Sequence, residues 1–125
     1  MLAAHSSFRS ALSWLVLGAA GLLSLWLLNG AAFSAWMSSG PPNPYPDGWV
    51  MRSHAQLAWS IAVAIGGFAA FRMLRELPTV RPLTLALLGA AAVLAALPTV
   101  IQFLQIDHCL DSGGRWNYQG LQCER

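Results

Sequence analysis

The chain reads as an all-α integral membrane protein, with three transmembrane helices in an up-down-up bundle and a short C-terminal tail stapled by a disulfide. Three observations predict that class. Of the 125 residues, 56% are hydrophobic and 10% charged, against about a quarter charged in soluble globular domains. The apolar residues gather in three long runs without a charge. An arginine-rich stretch, Phe71 to Pro82 (FRMLRELPTVRP), separates the second run from the third, and the two cysteines lie beyond the last run. At about 20 residues per span, three spans and their connections occupy a single membrane domain over residues 1–125 and leave no space for a soluble catalytic domain.

The first span is expected over about residues 11–37. Its apolar stretch is longer than the roughly 7 to 15 residues of a signal-peptide core, so a retained helix is expected despite Arg9 before it and the small residues Ala32 and Ser34 near its end. No cysteine lies close to the end of the run, which excludes a lipoprotein anchor.

Residues 38–52 form the next connector. Pro41, Pro42, Pro44 and Pro46 each lack an amide donor and push the preceding residue toward extended geometry. A stiff spacer is the simplest expectation, and a polyproline ligand for a partner domain is the alternative. Tyr45 and Trp49 suit the aromatic belt of a membrane surface.

The second span is expected over 53–71 and the third over 83–106. Pro98 interrupts the third, where it removes the bond to the Leu94 carbonyl and bends the helix. Each span carries a small or weakly polar stripe. Ser13, Ala20, Gly21, Ser24 and Ala31 share a face of the first, and Ser53, Gln56, Ser60, Val63 and Gly67 fall within about 80° of arc on the second. On the third, Pro98, Gln102, Gln105 and Cys109 fall within about 60°. Small residues let membrane helices approach closely, so the three stripes are expected to face one another. A sharper reading is a polar pocket lined by Gln56, Gln102 and Gln105.

The arginine hairpin, residues 71–82, sets the orientation. With the hairpin in the cytoplasm, that side holds Arg9, Arg72, Arg75 and Arg81 against Glu76. The other side holds Arg52, Arg115 and Arg125 against Asp47, Asp107, Asp111 and Glu124. The positive-inside rule then predicts a bacterial inner-membrane protein with a cytoplasmic N-terminus and a periplasmic or extracellular C-terminus.

The outer tail, residues 107–125, contains Cys109 and Cys123. Outside the cytoplasm a cysteine pair tends to be oxidised, so a structural disulfide is expected, with Gly113, Gly114 and Gly120 supplying turns. A redox site would more often show Cys-x-x-Cys or a second pair to pass electrons on, and neither is present. His54, Asp107, His108 and Asp111 are weak metal candidates. They lack a ligand motif, and adjacent helical residues such as Asp107 and His108 point about 100° apart, so no metal and no cofactor are expected.

Several function classes fall away. The net charge of +2 comes from seven scattered arginines, which does not make a nucleic-acid patch. The middle of each span lacks the ionisable residue that pumps and transporters usually carry. No nucleophile-base pair, phosphate loop or hydrolase elbow appears. The expectation is a protein that acts by binding, as an accessory or assembly subunit of an envelope complex. Its partners are then the lipid bilayer and a membrane or periplasmic protein, or a second copy of itself. Candidate contacts are Tyr45, Trp49, Trp116 and Tyr118. The alternatives are a small redox or metal-handling enzyme at the outer face, or a channel-like or immunity-type membrane oligomer.

Overall fold

A computed structural model describes residues 1–125. Three helices dominate it: α1 (Leu2–Ser39), α2 (Pro46–Glu76) and α3 (Pro82–Asp111). Two three-residue strands, β1 (Arg115–Asn117) and β2 (Gln122–Glu124), close the chain. The helices have 38, 31 and 30 residues. Each is longer than the roughly 20 residues a bilayer core requires, and all three are apolar enough to cross one.

The helices run past the apolar segments at their ends because local chemistry allows it. Pro46 and Pro82 occupy first-turn positions, where a missing amide costs nothing. The proline connector is therefore shorter than residues 38–52: Gly40 ends α1, and the fourth proline already belongs to α2. Asp107, His108 and Cys109 likewise sit in the last turns of α3 rather than in the tail. The remaining tail is an antiparallel hairpin, with Trp116 opposite Cys123, that the sequence did not announce.

α1 and α2 run in opposite directions, as their contacts show. Arg9 reaches Leu74, Ser24 meets Ser60, and Ser34 meets Gln56. The interface is built from small residues, including Ser13, Ala31 and Ser34 on α1 and Ser60 and Gly67 on α2, all buried. Gly67 lies so close to Ala20 that an added Cβ would overlap the alanine methyl. At that separation hydroxyls reach across. Ser24 donates to the Ser60 carbonyl at 2.9 Å, Ser60 donates to the Ser24 carbonyl at 2.9 Å, and the two hydroxyls lie 3.0 Å apart. Ser53 adds a bond to the Ala31 carbonyl at 3.0 Å.

α3 packs on the other side of α2. Thr84, fully buried, donates to Glu76, and Ala91 lies against Gly66. Trp59 Nε1 donates to the Ala95 carbonyl at 2.9 Å. That carbonyl follows the one freed by Pro98, so the stretch of α3 whose ladder the proline interrupts gains a donor from its neighbour. Only the α1–α2 and α2–α3 interfaces are extensive. α2 is the central helix, and the three stripes do not all converge, because the α3 stripe faces α2 beside its contact with α1.

The burial pattern is the reverse of a water-soluble domain. The residues removed from solvent are mostly glycine, alanine, serine and threonine, while Leu22, Trp26 and Phe103 are 73%, 70% and 67% exposed. Large side chains project outward along the full length of the helices.

The arginine end is tied by polar bonds. Arg9 donates to the carbonyls of Leu74 and Leu77 at 2.7 and 3.0 Å, which supplies a cation to the unsatisfied C-terminus of α2. Glu76 pairs with Arg72 at 3.0 Å and accepts from the Arg81 amide and the Thr84 hydroxyl at 3.1 and 2.8 Å. One carboxylate thus joins the end of α2 to the start of α3.

Close approach at Gly67 has a direct test. Gly67→Leu should lower the thermal midpoint of the protein in detergent, since overpacking of this kind costs about 1–3 kcal/mol. Gly18→Leu, at a position with open space around it, should leave the midpoint within error. Ser24→Ala should fall between them, at about 0.6 kcal/mol for one interhelical bond.

Candidate functional site

The site sits at the cysteine end, and the tail builds it. Gly113, with φ of 81°, turns the chain out of α3 into β1. Cys109 in α3 and Cys123 in β2 are disulfide-bonded, with Cα atoms 5.6 Å apart. Cys109 is 1% exposed, and Trp116 is buried on the same side of the hairpin. Strand alternation explains this: Trp116 is directly opposite Cys123, so a hairpin anchored through that sulfur carries the indole with it.

Asn117 organises the turn that follows. Its Oδ1 accepts from the amides of Gln119 and Gly120 at 2.9 and 3.2 Å, while its Nδ2 donates to Glu124 at 2.7 Å and to the Tyr45 hydroxyl at 3.3 Å. An asparagine two residues before the turn amides is a recognisable signal, and it marks a residue that the sequence reading missed. The turn then docks on the start of α2. Gly48 and Gly120 meet backbone to backbone, the Tyr45 ring covers Gly120, and neither glycine has space for a Cβ. Arg52 donates to the Gln119 carbonyl at 2.8 Å and lies 4.9 Å from the Trp49 ring. Trp49 packs edge-on against Phe33 of α1 at 6.0 Å.

Below the docked tail, α2 and α3 enclose an open cleft of about 820 Å³. Gln56, Gln102 and Gln105 all line it, as do His54, Tyr118 and Arg52. The deeper wall is apolar, with Ala55, Trp59, Leu97, Pro98 and Ile101. A volume between about 300 and 1,000 Å³ with a few polar groups on an apolar wall is typical of small-molecule sites. Gln56 is partly committed, since its Oε1 accepts from Ser34 at 3.0 Å. Arg52, Asp47 and Trp59 also line the cleft without having been singled out in the sequence. Trp59 lies three residues after Gln56 on the same helical face, which is the signal that could have found it.

The four aromatics expected as partner contacts separate. Trp116 is 8% exposed and faces the interior of the tail, so it is not a surface anchor. Tyr45 and Trp49 are half-buried by Gly120, Phe33 and Arg52. Only Tyr118 is free, at 68% exposed, and it stands at the mouth of the cleft. His54 lines the cleft although, at 100° per residue, it lies well away from the Ser53, Gln56 and Ser60 stripe of α2. Asp107, His108 and Asp111 are exposed on the last turns of α3, and no three His, Cys, Asp or Glu side chains converge.

Against known proteins, the chain matches no family model, no curated protein and no solved structure.

Loss of the staple should release the tail and leave the helices. Closing a loop of about 15 residues contributes on the order of 3 kcal/mol in the chain-entropy account. The double variant Cys109→Ser, Cys123→Ser should therefore be cut by trypsin after Arg115 at least ten-fold faster, with the helical circular dichroism unchanged. Equal cutting rates would show that docking on α2 holds the tail without the disulfide.

Proposed function

We propose that this chain is a small bacterial inner-membrane protein that acts by binding, as an accessory or assembly subunit of an envelope complex. The observation that carries the proposal is the cleft at the cysteine end, which presents exposed hydrogen-bonding groups, Tyr118 among them, above an apolar wall. Such a site can recognise and hold a partner.

Membrane residence is supported by the outward large side chains and the inward small ones, which is the packing that lipid permits and water penalises. In the proposed topology the helices cross up, down and up. The arginine end, with Arg9, Arg72, Arg75 and Arg81, faces the cytoplasm, and the cleft faces the periplasm or exterior. The disulfide agrees with that side being oxidising. Tyr118 takes the place of the indole as the exposed aromatic contact, since an exposed ring on a constrained loop loses little entropy on binding.

Two measurements test this. An alkaline phosphatase fusion after Arg125 should be active and one after Glu76 inactive; the reverse pattern would overturn the orientation. Mild-detergent purification followed by mass spectrometry should recover an envelope protein in defined ratio. Tyr118→Ala should reduce that recovery several-fold with insertion and the disulfide intact. Recovery of the chain alone, in wild type and variant alike, would remove the subunit reading.

A further inference from the structure

The cleft at the cysteine end does not stop at its apolar wall. A second, shallower groove of about 460 Å³ runs on between the helices, lined by Leu27, Trp59, Ala62, Val63, Ala91 and Ala95 among others, all apolar. Trp59 lines both spaces: its indole, bonded to the Ala95 carbonyl, stands between them, and both are open on their outer side. Placed end to end along α2 and α3, they make an open surface channel that crosses over the indole, polar at the tail and apolar toward the middle of the helices.

The polar end is unusually uncommitted. The side chains of His54, Gln102, Gln105 and Tyr118 all line the cleft, and none of them makes a hydrogen bond within the protein. Gln102 is half-buried, and an amide there without a partner is costly in an apolar setting unless water or a ligand meets it; Gln105, His54 and Tyr118 are exposed around it. The two full charges on the rim are Arg52 and Asp47, which are opposite in sign and cancel. The rim therefore offers neutral donors and acceptors rather than a net field for an anion or a cation.

We propose that this channel is a binding site for a single amphiphilic lipid with an uncharged, oxygen-bearing head and a long apolar chain. The head lies among Gln102, Gln105, His54 and Tyr118, and the chain crosses over the outer side of the Trp59 ring into the alanine-lined groove. This goes beyond contact with a protein partner. It rests on the membrane part of the functional reading, which the phosphatase fusions examine independently of lipid binding. The polarity gradient of the channel matches the gradient such a molecule already has in a bilayer, with its head at the surface and its chain toward the midplane. The walls meet it without exposing the amides to hydrocarbon.

Native mass spectrometry of the full chain in detergent tests the proposal with two probes of the same oleoyl chain. They are monoolein, whose head is uncharged, and oleoyl lysophosphatidylglycerol, whose head is anionic. One equivalent of monoolein should be retained, at least ten-fold more tightly than the anionic lipid. The double variant Gln102→Leu, Gln105→Leu keeps the side-chain volume and should weaken monoolein at least ten-fold. Ala92→Trp, which fills the lower groove, should weaken it similarly, and Val93→Trp, on an exposed face of α3, should not. Circular dichroism and the disulfide, read on each variant, separate loss of binding from loss of fold. Several loosely held lipids of either kind, insensitive to all three variants, would show annular lipid only. Preference for the anionic probe would overturn the uncharged head. Retention of monoacetin, the same head without the long chain, as tightly as monoolein would overturn the role of the groove.

Discussion

Everything in this molecule depends on how closely α1 and α2 can approach. Lipid gives apolar side chains no reason to associate, so a helix pair in a bilayer is held by dispersion across close backbones and by the polar bonds that such closeness permits. The contact of Gly67 with Ala20 and the reciprocal bonds of Ser24 and Ser60 are those two terms at neighbouring turns. Leucines in the same places would separate the axes, and the hydroxyls would no longer reach. The small residues are the buried ones for this reason, although in a soluble domain they would be the least effective core.

α3 is attached differently. Its contacts with α2 are polar at the arginine end, through Glu76 and Thr84, and include an indole bond at Ala95 farther along. Beyond Ala95 the two helices are separated by the cleft. Pro98 lies on the cleft wall at the point where the helix ladder is weakened. Separation of the helices would leave Gln102 and Gln105 on an unsupported wall if nothing joined α3 to α2 above them. The tail makes that join. It is covalently rooted in α3 through Cys109, and it docks on α2 through Gly48 and Arg52.

Much of this architecture was legible in the sequence, and the reasons differ by element. Three apolar runs, an arginine hairpin and two cysteines are compositional signals that survive any packing, so three long helices and a stapled tail follow from them. The α1 and α2 stripes were legible because helical periodicity puts Ser24 and Ser60 on definite faces. Their pairing needed only the antiparallel order. The helix ends were less legible, because hydropathy reports where a chain is apolar and not where it stops being helical. Pro46 looked like part of a spacer although a proline suits a first turn equally well. Trp116 was the hardest. Nothing in Arg115-Trp116-Asn117 says which side of a three-residue strand faces inward, because the direction is set by the pairing with Cys123.

The three glutamines show where sequence periodicity helps and where it ends. Spacing puts Gln102 and Gln105 on one face of α3 and Gln56 on the small face of α2, but those facts allow two arrangements: amides bonded to one another across a tight interface, or amides around a space. The structure has the second. Gln56 is partly drawn toward α1 by Ser34, and the docked tail joins α2 to α3 across the end of the space. Two polar contacts on α2 thus border the space, one with α1 and one with the tail. Both are made by residues whose partners lie more than 20 positions away in the chain, beyond the reach of any local pattern.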